Sequence, residues 1–339
     1  MSHYETSNIK NIYLKVTNFE NKVRLNMAMI FRGIMLKIAT VLTLTIAFQL
    51  VSFKVFGQPC IPLSGDKEWT ISSAGGTRRF LVHVPPSNSS GSLRPLVFNF
   101  HGALGNAELG RANTRLDAVA NSKGFIVVYP NGYKTTWNGG ACCGGAVGDN
   151  INDVQFVRDM LDKVLIPQYC VDARRVYATG FSNGGYLSHR LACELSDRIA
   201  AISAVGGVNG MPTCKPSRPI SILQTHGTAD SIINYNLAPP TIQAWVARNG
   251  CTGSSRETFR NGNAHCDTWS TCQGGSSVQL CTVDGMGHRW PGSTQSEGLG
   301  SSSSDIDISN FGIDFLLKYS LPSPATKTRP RAPANLKIL

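Results

Sequence analysis

Short apolar runs alternate with amphipathic stretches along most of the chain. The apolar runs predict strands at residues 80–84, 95–100, 124–129, 175–181, 199–205, 219–225 and 278–283. Apolar positions at helical spacing predict helices at 112–122, 152–166, 241–248 and 305–319. Strands that alternate with helices imply one mostly parallel sheet covered on both faces, which is an α/β fold.

The turn at residues 180–184 carries the clearest chemical signal. It reads Gly-x-Ser-x-Gly, with Ser182 at its centre, between a predicted strand and a predicted helix. A serine on such a sharp turn projects its hydroxyl above the sheet, where a base and a carbonyl group can reach it. The alternative is an ordinary turn serine, but the strand before and the helix after favour a nucleophile.

Two further residues follow predicted strands and complete a catalytic set. Asp230 comes after the strand at 219–225, and His288 after the strand at 278–283. The order Ser, Asp, His is the one expected on an α/β-hydrolase sheet. We predict that His288 takes the proton of Ser182 and that Asp230 orients the imidazole. Asp284 is the rival acid, although it lies on the same loop as the base.

Catalysis by a serine also requires donors for the oxyanion. The backbone N–H of Asn183 and that of Ala103, in the loop after the strand at 95–100, are the predicted donors. Trp137, Tyr186 and Trp290 are the predicted substrate-binding side chains. Trp290 could instead pack its own loop, and both readings stay open.

Three other histidines are expected to be structural. His101 and His226 each precede a glycine at a strand end, where a histidine more often supports a loop than catalyses. His189 falls on the helix after Ser182 and is expected to be part of the packing.

The two ends differ from the body. Residues 35–58 combine a basic start, an apolar core at 38–53 and Gly57 before Gln58, which predicts a secretory signal within an N-terminal segment 1–57. An uncleaved anchor is the alternative, although the run is short for a membrane span. Met27, Met29 or Met35 could be the true start. Residues 58–319 are predicted to form the catalytic domain and 320–339 a basic, Pro-rich disordered tail.

Charge does not point to nucleic acid. The chain has 339 residues and a net charge of +11. Residues 1–57 hold seven Lys/Arg and two acidic residues, and 318–339 hold five Lys/Arg and none, so the body carries 20 basic and 19 acidic residues. A nearly neutral body offers no phosphate-binding face. We expect no nucleic-acid partner, no stable membrane partner and a monomer.

All ten cysteines lie after residue 57, which predicts disulfides and an oxidising compartment. Pairs within 251–281 and a Cys193–Cys214 pair are favoured by their proximity in sequence. Zinc is the alternative, but Cys-x-x-Cys pairs and close Cys/His clusters are missing from the sequence. Acyl transfer through a serine needs no metal or redox group, so we expect no cofactor.

Several motifs together resemble one family. They lie at residues 100–102, 129–132, 137–144, 152–154, 176–185, 226–230 and 287–292. They are similar to those of the secreted esterases named for poly(3-hydroxybutyrate) depolymerase, which include feruloyl and acetylxylan esterases of carbohydrate esterase family 1. The resemblance implies an α/β-hydrolase fold with Ser182, Asp230 and His288 as nucleophile, acid and base. Asn152 stands where the family usually has aspartate.

The resemblance implies hydrolysis of an ester-bearing substrate by a secreted protein. Removal of feruloyl or acetyl esters from plant polysaccharide is the leading prediction. Hydrolysis of poly(3-hydroxybutyrate) or hydroxyalkanoate oligomers is the second, since no added polymer-binding module is evident in the pattern. A serine peptidase and a binding module that has lost the chemistry are further alternatives, but the intact Ser182, Asp230 and His288 argue against a binding module.

Overall fold

The computed structural model describes residues 63–86, 92–295 and 297–323. Ten strands form one sheet in the order β1-β2-β4-β3-β5-β6-β7-β10-β9-β8. They are β1 (Gly65–Ser73), β2 (Gly76–Val84), β3 (Arg94–Phe100), β4 (Ile126–Pro130), β5 (Val171–Phe181), β6 (Ala201–Val205), β7 (Ser221–Gly227), β8 (Arg256–Asn261), β9 (Ala264–Trp269) and β10 (Val278–Val283). The predicted, mostly parallel α/β sheet is confirmed.

The centre of the sheet is parallel and its two edges are antiparallel. Every neighbouring pair from β4 through β3, β5, β6 and β7 to β10 is parallel. Strands β1 and β2 at one edge, and β8 and β9 at the other, run antiparallel to their neighbours. Parallel strands present their carboxyl ends along one rim, so the loops after β3, β5, β7 and β10 meet there.

Helices cover both faces of this sheet. They are α1 (Ala107–Thr114), α2 (Leu116–Lys123), α3 (Gly144–Gly148), α4 (Asp153–Met160), α5 (Asn183–Glu194), α6 (Ala238–Arg248) and α7 (Ile308–Leu316). Helix α4 continues through a π-helical turn, Leu161–Leu165, and a short α-helical turn, Ile166–Gln168; 3₁₀ turns lie at Tyr235–Leu237 and Gln273–Gly275. The helix predicted at 112–122 is two helices, because Arg115 between them adopts the left-handed region at φ 51°.

Two apolar clusters pack against opposite faces of the sheet. Side chains from one face of the central strands join α4, α5 and α6 in the first cluster. The alternate side chains join α1, α2 and α7 in the second. Central strands such as β4 and β6 are buried at every position, since each face has its own cover. This two-sided packing fixes the central strands that carry the candidate site.

Disulfides are concentrated in the second half of the described chain. They join Cys142 to Cys143, Cys193 to Cys214, Cys251 to Cys272, and Cys266 to Cys281. The predicted Cys193–Cys214 pair and the predicted pairing within 251–281 are present. Cysteines without a partner are absent from the described residues.

Three strands lie where the hydrophobic pattern predicted none: β1, β8 and β9. Strand β8 is almost wholly exposed, so it lacks the alternation that marks a half-buried strand. Strand β1 is exposed over its first four residues and alternates only from Trp69 to Ser73. The predicted signal segment and residues 324–339 of the predicted tail lie outside the described residues, and the domain boundaries stay predictions. None of the helices that the structure describes is long and apolar enough to span a bilayer.

Candidate active site

Ser182 occupies a sharp turn between β5 and α5. Its backbone has φ 54° and ψ −118°, a conformation that a non-glycine residue rarely adopts. Its N–H donates to the Val205 carbonyl of β6 at 2.8 Å, which holds the turn against the sheet. A methyl group on Gly184 would come within 2.1 Å of the Phe100 carbonyl oxygen, so only glycine lets the helix approach β3 this closely.

Asp230 and His288 are paired at the same rim. The Nδ1 of His288 donates to Oδ2 of Asp230 at 2.7 Å, because a carboxylate can only accept. The second oxygen, Oδ1, accepts the backbone N–H groups of Ile232 and Ile233 at 2.9 and 2.8 Å. With Nδ1 protonated, the Nε2 of His288 is left as the acceptor that a general base requires.

The surroundings keep Asp230 ionised. Burial acts to raise its pKa, but hydrogen bonds from His226 and His288 and from the Ile233 N–H outweigh burial and place the pKa well below the usual aspartate range. The Nε2 of His226 lies 3.3 Å from Asp230 Oδ2 and donates to the Ile233 carbonyl at 2.8 Å. His226 therefore supports the loop of the candidate acid, a contact that the sequence did not reveal.

Phe181 is the neighbour of Ser182 in sequence and contacts His288 in space. The ring centroids of Phe181 and His288 are 4.7 Å apart. A methyl group on Gly206, the residue after β6, would lie 3.3 Å from His288 Cε1, so the imidazole stands over the end of β6 beside the serine turn. Among the residues that the structure describes, no hydrogen bond joins Ser182 Oγ to His288. Catalytic hydrogen bonds often tighten only when substrate binds.

The predicted oxyanion donors lie at the two turns nearest the serine. Asn183 begins α5, where the first N–H groups of a helix have no partner within the helix. Its side chain is locked, since Oδ1 accepts the Trp137 N–H at 2.7 Å and Nδ2 donates to the Trp137 carbonyl at 2.9 Å. In the loop after β3, the Leu104 N–H donates to the Thr135 carbonyl and the Gly105 N–H to the Gly102 carbonyl. Ala103 lies between these anchored residues and is exposed.

The three predicted substrate-binding side chains are buried. Trp137 is 0% exposed, and its indole N–H donates to the His101 carbonyl at 3.0 Å. Trp290 is 2% exposed and donates to Ser309 Oγ at 2.9 Å, which favours its loop-packing reading. Tyr186 is 7% exposed. The bonds of Trp137 and Trp290 show that these two side chains support loops. A role in substrate binding stays a prediction for all three.

The remaining candidates are placed around the rim. His101 donates from Nδ1 to the Gly102 carbonyl and accepts the Gly132 N–H at Nε2, and its burial lowers its pKa to about 4. It therefore joins two loops as a neutral ring. His189 is fully buried between Gln224 and Trp245. Asp284 is exposed, and His288 is bonded to Asp230 rather than to it.

Sequence reasoning also missed Glu297. It lies on the loop after Trp290, and its carboxyl reaches back to Gly102 beside Ser182. Ser-Glu-Gly at 296–298 carries no motif or periodicity that would have marked it. Over the described ranges, no three His, Cys, Asp or Glu side chains are grouped as a metal site would require.

Comparison with known proteins agrees with this geometry. The family model described as "Esterase PHB depolymerase" matches residues 79–233. Feruloyl esterase B from Piromyces equi is 32% identical over 270 residues, which is 72% of this chain and 46% of that protein. The chain thus spans about half the length of that relative. Putative esterase NocK from Nocardia uniformis subsp. tsuyamanensis is 30% identical over 72% of this chain and 80% of its own length.

Structural similarity extends to solved proteins. An acetyl xylan esterase from Aspergillus awamori superposes with a TM-score of 0.52 at 16% identity, over 73% of this chain and 99% of that structure. At that identity the likeness concerns the fold, and the predicted α/β-hydrolase fold is confirmed. Because a strained Ser182 and a bonded His288–Asp230 pair meet at one rim of this fold, and sequence similarity covers 80% of a relative named as a putative esterase, the chain belongs to the esterase PHB depolymerase family.

Proposed function

We propose that this protein is a secreted serine esterase that removes feruloyl or acetyl groups from plant polysaccharide. The observation that carries the proposal is the 2.7 Å bond from His288 Nδ1 to Asp230, at the same rim as the strained Ser182. The likeness to a feruloyl esterase supports the acyl group. The disulfides support an oxidising, extracellular location.

The geometry supports an acyl-enzyme mechanism. Ser182 Oγ attacks the ester carbonyl while His288 Nε2 accepts its proton, and the positive imidazolium is stabilised by Asp230. The N–H groups of Asn183 and Ala103 donate to the oxyanion of the tetrahedral intermediate. When the intermediate collapses, the C–O bond to the alcohol breaks and His288 returns the proton to the departing oxygen. Water then repeats the sequence on the acyl-serine and releases the acid.

A second candidate is hydrolysis of hydroxyalkanoate oligomers. Large exposed aliphatic side chains gather on the loops at the carboxyl rim: Leu104 after β3, Ile232 after β7 and Leu299 after His288, exposed by 84, 51 and 57%. Aliphatic surface of this kind suits a polyester chain better than a hydrated sugar backbone. Relative rates on methyl ferulate and on hydroxybutyrate oligomers distinguish the two candidates.

The test is hydrolysis of methyl ferulate, acetylated xylan and hydroxybutyrate oligomers by the purified protein. Ser182→Ala is the matched control, because it removes only the hydroxyl oxygen. Release of ferulate or acetate by the wild type alone would support the leading proposal. Faster hydrolysis of the hydroxybutyrate oligomers would instead support the second candidate function. No turnover of any of the three would refute an esterase function and favour a binding module.

A further inference from the structure

A chain of hydrogen bonds between buried side chains runs from helix α6 to the turn that carries the candidate acid. The indole N–H of Trp245 in α6 donates to Nδ1 of His189 in α5 at 3.1 Å. Nε2 of His189 lies 2.8 Å from Oε1 of Gln224 in β7, and Nε2 of Gln224 lies 3.3 Å from Nδ1 of His226. All four side chains are 0% exposed, so water does not compete for these bonds.

The direction of donation along this chain is fixed at its first member. An indole N–H can only donate, so Nδ1 of His189 must accept. Burial lowers the pKa of His189 to about 4, so the ring is neutral and its single proton lies on Nε2. Gln224 must then turn its oxygen to His189 and its NH₂ group to His226. The same NH₂ group lies 3.3 Å from the Thr225 carbonyl, which also requires a donor.

The last member of the chain meets only acceptors. Because Nδ1 of His226 accepts from Gln224, the proton of His226 lies on Nε2. Nε2 is 2.8 Å from the Ile233 carbonyl and 3.3 Å from Oδ2 of Asp230. The opposite tautomer would turn a lone pair toward both of these oxygens. Both ends of the chain therefore require the same position for this proton.

The bond from His226 reaches the acid through Ile233. The Ile233 carbonyl accepts from His226, and the Ile233 N–H donates to Oδ1 of Asp230 at 2.8 Å. The other carboxylate oxygen, Oδ2, holds Nδ1 of His288 at 2.7 Å. The orientation of the carboxylate, and with it that of the candidate base, thus depends on a turn that His226 anchors.

We propose that His226 is a positioning residue whose proton is fixed on Nε2 by the buried chain, so that it donates to the turn that holds Asp230. The inference rests on the proposed esterase function and deepens it, since it names what orients the acid. Displacing a catalytic group by about 1 Å can cost about 100-fold in rate, below the about 10⁴-fold expected when the acid itself is lost. Substrate binding should change little, because His226 is fully buried.

The first test locates the proton in the wild-type protein by NMR of histidine labelled with ¹⁵N, at pH 7. The ¹⁵N shifts of an imidazole differ between a protonated and an unprotonated nitrogen. His189 and His226 should each show a protonated Nε2 and an unprotonated Nδ1, and the signals missing from His226→Gln identify His226. A proton on Nδ1 of His226, or exchange between its two tautomers, would refute the proposal.

The second test compares His226→Gln with His226→Asn, with p-nitrophenyl acetate as substrate. The longer glutamine places its amide near the position of Nε2, where it can donate to Ile233, and should retain kcat within about threefold. Asparagine reaches only the position of Nδ1, so it should lower kcat about 10- to 100-fold with KM within about twofold. His265→Asn in β9 is the matched control, because it makes the same change outside the chain, and it should keep the wild-type kcat.

The outcomes separate this inference from the function on which it rests. A wild type that hydrolyses no ester would refute the esterase function, whereas the NMR spectra would still show where the proton lies. An active wild type whose kcat is matched by His226→Asn would refute the positioning role alone. A loss confined to KM, or a His226→Gln variant as impaired as His226→Asn, would also refute it. If His226→Asn melts far below the wild type, His226→Gln and the wild-type spectra decide.

Discussion

Replacing Asp230 with asparagine tests the acid–base pair with almost no change in shape. The oxygen Oδ1 accepts two N–H groups, from Ile232 and Ile233, so the amide must keep its oxygen there. Its NH₂ group is then forced to face His288 Nδ1, which can no longer be a donor. The imidazole proton moves to Nε2, and the base loses the lone pair that would accept the serine proton.

The wrong tautomer should lower kcat about 10⁴-fold, as it does in serine proteases with the equivalent change. That corresponds to about 5 kcal/mol in the activation barrier. KM and the melting temperature should stay close to wild type, because both hydrogen bonds from Ile232 and Ile233 survive. Initial rates with p-nitrophenyl acetate would measure the effect. Asp284→Asn is the control, and the reasoning fails if that variant loses the activity while Asp230→Asn keeps it.

Two further predictions concern stability. Burial lowers the pKa of His189 to about 4, although its hydrogen bond to Gln224 acts to raise the pKa. The folded protein therefore favours the neutral ring. This contribution to stability is complete above pH 6.5 and is lost as the pH falls toward 4. Over this range the loss of stability in urea unfolding should be smaller in His189→Gln than in the wild type by on the order of 3 kcal/mol. Buried His101, whose pKa is also about 4, contributes equally to both proteins. An equal loss in the two proteins would contradict the prediction. Arg78→Met should cost about 3–5 kcal/mol in urea unfolding, because it leaves the buried Asp153 carboxylate unpaired. Adding Asp153→Asn should recover part of this loss, and a double variant no more stable than Arg78→Met would count against the pairing.

Sequence reasoning succeeded where burial is two-sided or where a turn has a chemical signature. The strand predicted at 278–283 is β10 to the residue, since all six positions are buried. The pattern could not divide the helix at Arg115, because a single left-handed residue leaves the apolar spacing intact. It could not find β8, whose exposed residues Arg256–Asn261 are placed by pairing with β9 rather than by burial.

The same distinction holds at the candidate site. Ser182, Asp230 and His288 could be selected because each follows a predicted strand, and parallel strands bring those positions to one rim. The support of Asp230 by His226 depends on how a loop folds back on its own strand. The approach of Glu297 to Gly102 depends on a loop nearly 200 residues away in sequence, and local patterns carry no information on such contacts.

The disulfide between Cys266 and Cys281 has a practical consequence for producing the protein. It joins directly paired positions of β9 and β10, the strand that leads to His288. Closing a loop of 15 residues stabilises a fold by about 3 kcal/mol, and a reducing bacterial cytosol would withhold that contribution. In a recombinant preparation from such a host, strand β10, which leads to the candidate base His288, would be less stable, while the turn that carries Ser182 would be intact. Inactivity of that preparation would report the redox state of the host rather than the chemistry of Ser182.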